Sequence, residues 1–304
     1  MKTPTNRYMK GILWAMLAST LWGISGTVMQ FVSQNQAIPA DWFLSVRTLS
    51  AGIILLTIGF IQQGRGIFKV WHSWRSIGQL VAYATLGLMA NMYTFYISIE
   101  RGTAAAATIL QYLSPLFIVL GTLVFKRQLP LRSDMLAFGV SLFGVFLAIT
   151  RGNIHELAIP TDALIWGILS GVTAALYVVL PRKIVSENSP IVILGWGTLI
   201  AGVLFNGYHP LWVGAPTITP KLIISIGAIV LIGTIGAFSA LLHSLQFAPS
   251  AVVSIVDAVQ PVVTFVLSII FLGLKVSVVE IIGSVLVVLA IYILQHYRSD
   301  PDLE

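Results

Sequence analysis

The chain has 304 residues, of which 57% are hydrophobic and 9% charged, with 17 Lys+Arg against 11 Asp+Glu and a formal charge of +6. A soluble domain is about 25% charged, so a mean hydropathy of +0.92 along the whole length excludes a water-soluble fold and defines an all-α polytopic membrane protein. The absence of cysteine excludes disulfides, thiolate nucleophiles and thiolate metal sites.

A helix needs roughly 20 apolar residues to cross about 30 Å of hydrocarbon. Ten runs qualify, at 10–32, 42–62, 77–99, 103–124, 132–150, 161–181, 190–209, 222–245, 249–273 and 277–297. The first is expected to be a span and not a cleaved signal peptide, being too long and carrying Trp14, Trp22 and Gln30. Lys and Arg in alternate loops total 12 on the side of the termini and 4 on the other, with Arg47 inside the second run. The positive-inside rule then predicts that both termini are cytoplasmic, and it reads the basic residues as topology signals, not as a nucleic-acid site. Trp71 and Trp74, before the third run, are expected to anchor at the headgroups.

The runs fall into two sets of five. Residues 87–125 laid over 233–271, an offset of 146, match Gly87 with Gly233, Ser98 with Ser244, Ala105 with Ala251, Pro115 with Pro261 and Phe125 with Phe271. In the first run of each set, Trp14 and Leu17 match Trp166 and Leu169 at an offset of 152. Five is odd, so the second set enters the membrane the opposite way up. The predicted architecture is ten transmembrane helices in two inverted five-helix repeats, 8–150 and 161–297, around a midplane cavity.

Within the first set, Leu21-Trp22-Gly23 marks the first run and Arg47 followed by Ala51 the second. The fourth run of each set reads Ala104-Ala105-Ala106-Ala107 through Leu113-Ser114-Pro115-Leu116 and Ser250-Ala251-Val252-Val253 through Val259-Gln260-Pro261-Val262. In this order the motifs resemble the drug/metabolite transporter superfamily, in particular ten-span members with two EamA domains, over roughly residues 8–297. The resemblance implies a secondary active or facilitative transporter of the cell membrane, an exporter of small metabolites such as amino acids or amines. Many relatives carry an acidic residue where this chain has Gln260 and Leu274.

Helical spacing places Ser250, Ser254, Asp257, Pro261, Thr264 and Ser268 on one face of the ninth run, and Ala104, Thr108, Gln111, Pro115, Ile118 and Thr122 on the matching face of the fourth. Asp257 is the sharpest signal, because an ionised carboxylate near the bilayer centre costs roughly 2.5–3.5 kcal/mol. It is the candidate for proton coupling or for contact with a substrate amine. Gln111, Asp257 and Gln260 are the expected substrate contacts. Trp22, Ser25, Asn91, Tyr93, Tyr96, Tyr112, Tyr177 and His243 are expected as cavity walls, and Pro115 and Pro261 as helix kinks. Arg47 is read as snorkelling to headgroups or holding an acidic partner.

No glycine-rich phosphate loop followed by Lys-Ser or Lys-Thr is present, which excludes direct coupling to ATP by that motif. Expected partners are a small-molecule substrate and the lipid bilayer, with no nucleic acid, no cofactor, no metal and no catalytic residues, and with the chain acting as a monomer or weak homodimer. Two alternatives stand beside the transporter. One is a lipid-linked carrier flippase. The other is an intramembrane serine hydrolase, suggested by Gly23-Ile24-Ser25-Gly26 with His243 as base.

Overall fold

Long apolar runs bounded by capping residues fold as helices, since a helix satisfies every backbone group within one segment and lipid offers no other partner. The computed structural model describes residues 4–127, 129, 132–151, 153, 157–244, 247, 248, 253, 256 and 259–297. Among them no β-strand occurs. Seven helices are long and apolar enough to cross a bilayer: α1 (Met9–Asn35), α2 (Ala40–His72), α3 (Trp74–Arg101), α4 (Ala104–Phe125), α6 (Thr161–Glu187), α7 (Pro190–Tyr208) and α8 (Pro220–Leu241). Three shorter apolar helices are α5 (Met135–Thr150), α9 (Val259–Leu272) and α10 (Val278–Ala290). Their outward faces expose Ile53, Phe143, Ile224 and Val285, an apolar surface suited to lipid and not to water.

Local chemistry sets the ends. The Thr103 and Thr219 hydroxyls accept from the amides of Ala106 and Leu222, capping α4 and α8. At the start of α10 the Ser277 hydroxyl accepts from the Glu280 amide at 3.1 Å while the Glu280 carboxylate reaches back to the Ser277 amide at 3.5 Å, a reciprocal capping box. That carboxylate also accepts from Arg151 Nε at 2.9 Å, tying the end of α5 to the start of α10.

Two elements carry detail beyond the sequence expectation. The α-helical part of α2 ends at Gln63, and Gly64–His72 continues as a 3-10 helix. Trp71 packs edge-on against Trp196 at 5.1 Å, while Trp74 is exposed. α4 is two helices, Ala104–Gln111 and Ser114–Lys126, joined by a turn at Tyr112 and Leu113. Pro115 sits in the first turn of the second piece, where its missing N–H costs nothing.

Helix pairing follows the glycines. An added Cβ at Gly52 would lie 2.7 Å from Leu199 backbone, one at Gly202 would lie 2.7 Å from the Leu49 amide, and Gly195 faces Leu56 as Gly59 faces Val192. As the number rises from 49 to 59 in α2 it falls from 202 to 192 in α7, so the two run antiparallel. α5 and α10 do the same, with Gly144 against Val287 and Gly283 against Ala148.

One contact occurs twice. Gly87 of α3 lies against Tyr177 of α6, and Gly233 of α8 lies against Ser25 of α1. The glycines are 146 residues apart and their partners 152 apart, the same two offsets read from the sequence. Both glycines sit in π-helical turns, Tyr83–Met89 and Ile229–Gly236. Such turns gather at functional sites.

Candidate functional site

A cavity of about 420 Å³ is walled mainly by α1, α3, α4 and α6, with one residue each from α2 (Arg47), α8 (Phe238) and α9 (Gln260). Its walls include Trp22, Ser25, Met29, Asn91, Phe95, Gln111, Tyr112, Pro115, Tyr177, Arg182, Phe238 and Gln260. Among the described residues, α5, α7 and α10 contribute no wall residue. A mostly apolar chamber with a few polar groups is the usual form of a small-molecule site.

The polar groups on one side are tied together. Gln111 Nε2 donates to Ser170 Oγ at 3.1 Å and lies 3.5 Å from Asn91 Oδ1, while Asn91 Nδ2 donates to the Ser170 carbonyl at 3.1 Å. Thr173 Oγ1 lies 3.0 Å from Thr94 Oγ1 and 3.4 Å from Asn91 Nδ2. The network joins α3, α4 and α6 and holds the Gln111 amide in place. Ser170 and Thr173 were not singled out by sequence reading, since a hydroxyl in an apolar helix gives no sign of its partner.

Arg47 lines the chamber. It is 9% exposed, its Nη1 lies 3.2 Å from Met29 Sδ, and its Nε has no hydrogen-bond partner. It neither snorkels to the surface nor pairs with a carboxylate among the described residues, contrary to expectation. Ser25 Oγ is also buried without a partner. Arg182, by contrast, is exposed. The chamber wall thus carries one buried and one exposed cation.

Of the expected wall residues, Trp22, Ser25, Asn91, Gln111, Tyr112, Tyr177 and Gln260 line the cavity. Three lie elsewhere. Tyr93 packs edge-on against Trp166 at 5.7 Å, away from the cavity wall. Tyr96 is fully buried, stacked on Phe43 at 4.7 Å with its hydroxyl donating to the Ile38 carbonyl. His243 sits edge-on to Trp14 at 4.7 Å and beside Phe247 at 5.0 Å. Trp14 precedes Ser25 by eleven residues, roughly 16 Å of helix. Ser25 and His243 are therefore not paired. Asp257, Ser250 and Ser254 lie outside the described residues.

The hydroxyls of the two polar faces divide as well. Thr108, Thr122 and Thr264 bond back to the carbonyls of Ala104, Ile118 and Gln260, four residues earlier in each case. From the α4 face, Gln111, Pro115 and Ile118 reach the cavity. Pro261 is buried in the first turn of α9.

A second hollow, of about 500 Å³, lies between α2 and α8 and is walled by Trp42, Val46, Ile54, Leu222, Ile226 and Leu231. Its hydroxyl, Ser50, bonds back to the Val46 carbonyl at 2.6 Å. It offers apolar contact only.

Membrane-length helices around a small amphiphilic chamber are the architecture of a multi-pass membrane transport protein. The model of the EamA-like transporter family matches residues 9–150 and 161–295. The chain belongs to this family, part of the drug/metabolite transporter superfamily, and is a multi-pass protein of the cell membrane. It is 29% identical over 285 residues, 94% of this chain and 95% of the other, to the "Uncharacterized inner membrane transporter YicL" of Salmonella typhimurium. An "Uncharacterized transporter" of Archaeoglobus fulgidus is 25% identical over 305 residues, covering 94% of this chain and 99% of that one. A solved structure titled "Crystal structure of protein" shares the fold, with a TM-score of 0.60, 15% identity and coverage of 97% and 99%.

Proposed function

We propose that this protein is a secondary or facilitative exporter of small metabolites, amino acids and related amines among them, working by alternating access. Ten spans form two inverted five-helix repeats with both termini in the cytoplasm, and the chamber between them opens to each side in turn as the halves exchange conformations. The observation that carries the reading is the repeated contact: Gly87 against Tyr177 and Gly233 against Ser25, each in a π-helical turn and each bordering the chamber. Close glycine contacts on equivalent helices are surfaces that slide between states. The antiparallel pairing of α2 with α7 and of α5 with α10 supports the inversion.

Gln111 and Gln260 contact the substrate, and Asp257, matched to Gln111 by the offset of 146, carries the proton or meets a substrate amine. The chain acts as a monomer or weak homodimer. The test is uptake of radiolabelled amino acids and amines into proteoliposomes, with and without a pH gradient. Saturable uptake that Asp257→Asn abolishes or uncouples from the gradient is expected; normal pH-dependent uptake by that variant removes the coupling role. A lipid flippase is the second reading, favoured by the apolar hollow between α2 and α8. Scrambling of a fluorescent long-chain lipid by the same vesicles, without uptake of any small solute, selects it.

A further inference from the structure

We infer that the chamber selects substrates bearing a carboxylate, held by the buried Arg47 and Ser25. The inference rests on the transporter reading and names the group by which that transporter recognises its cargo.

Arg47 is a buried charge without a carboxylate partner among the described residues. It is 9% exposed, and the ion pairs of the described residues lie elsewhere, between Arg101 and Asp162 and between Arg151 and Glu280. Its guanidinium makes one hydrogen-bond contact among the described residues, Nη1 to the Met29 thioether at 3.2 Å, and its Nε has none. A thioether is a weak acceptor. A buried cation without a counter-charge is costly, so it belongs in a place where an anion arrives.

The neighbours suit a carboxylate. Ser25 and Met29 stand four apart on α1, hence on one face, and both line the chamber with Arg47. The Ser25 hydroxyl is 3% exposed and unpartnered, a donor in waiting. A guanidinium edge matches the two oxygens of a carboxylate in a bidentate fork, and a hydroxyl donor supplements it. No Asp or Glu among the described residues lines the chamber, and the exposed Arg182 adds a second positive charge. Arg47 and Arg182 thus make the described lining net positive, which favours an anion. Trp22, Phe95, Tyr112 and Phe238 supply walls for an apolar body on the carboxylate.

The experiment is a thermal-shift and competition series on detergent-purified protein with matched probes: phenylalanine, 3-phenylpropionate, phenylalaninamide and phenethylamine, and the corresponding leucine set. Acids are expected to raise the melting temperature and to bind at least tenfold more tightly than their amides and amines, because a site built to hydrogen-bond a group rejects the analogue without it. In Arg47→Gln the acid-over-amide ratio falls to about one, whereas Arg65→Gln, which removes an exposed cation outside the chamber wall, keeps it. Equal binding of acids and amines to the wild type, or no shift with any acid, overturns the inference whether or not the variants fold. Retention of the ratio in Arg47→Gln does so too. Vesicle uptake separates the two readings: acids that bind without being carried leave the carboxylate site and remove the transporter, and amines carried in place of acids do the reverse.

Discussion

Ser25 of α1 lies directly against Gly233 of α8, so closely that a methyl group at the glycine would overlap both the serine Cβ and its Oγ. The same serine lines the chamber and has no hydrogen-bond partner. Close packing and an unfilled donor meet at one residue, and the contact repeats in the other half as Gly87 against Tyr177.

Gly233→Ala tests that contact. Rotating the Ser25 hydroxyl cannot clear its Cβ, so α1 and α8 must separate, at about 1–3 kcal/mol for overpacking. The melting temperature, followed by tryptophan fluorescence in detergent, is expected to fall by several degrees. Gly227→Ala, in the same helix with nothing within 4 Å of the added carbon, is the control and is expected to be neutral or slightly stabilising.

Gly52→Ala and Gly202→Ala report on the antiparallel pair α2 and α7. Each added Cβ meets main-chain atoms of the partner at 2.7 Å, and a backbone cannot move aside as a side chain does. Both substitutions are expected to destabilise by about 2–3 kcal/mol and to similar extents, since each glycine faces the leucine three residues from the other. A melt in which one variant is neutral contradicts the paired geometry.

Gln111→Ala breaks the bridge from α4 to Ser170 of α6 and leaves Asn91 with one partner fewer. The expected loss is about 1–3 kcal/mol from stranding buried polar groups. Gln111→Leu, apolar and of similar size, is expected to melt nearer the wild type yet bind the preferred ligand at least tenfold more weakly. Melting and ligand titration on the two variants separate the structural part from the recognition part.

Glu280→Ala removes both an α10 cap and the partner of Arg151. Glu280 is 6% exposed, so the expected cost is about 1–3 kcal/mol, of which the cap supplies about 1. Arg151→Met leaves the capping box intact and strands the Glu280 charge, and the double variant is expected to be less destabilised than the two singles added together. Additive melting shifts show instead that the pair contributes nothing.

Hydropathy and helical period are local properties, so the sequence by itself determined the membrane class, the apolar runs and the repeat offsets of 146 and 152 that reappear in the Gly87–Tyr177 and Gly233–Ser25 contacts. Trp22, Ser25, Asn91, Gln111 and Gln260 were legible as chamber walls because polar or amphipathic groups in an apolar helix seek one another. What a side chain meets depends on how its helix is rotated against neighbours distant in the chain, and only the tertiary structure decided that. It turned Arg47 toward the chamber and away from the headgroups, set Tyr96 against Phe43 and His243 against Trp14, and joined Gln111 to Ser170. The π-helical turns at Tyr83–Met89 and Ile229–Gly236 belong to the same class, since they answer to the packing of α3 on α6 and of α8 on α1 and leave no mark in the period of either helix alone.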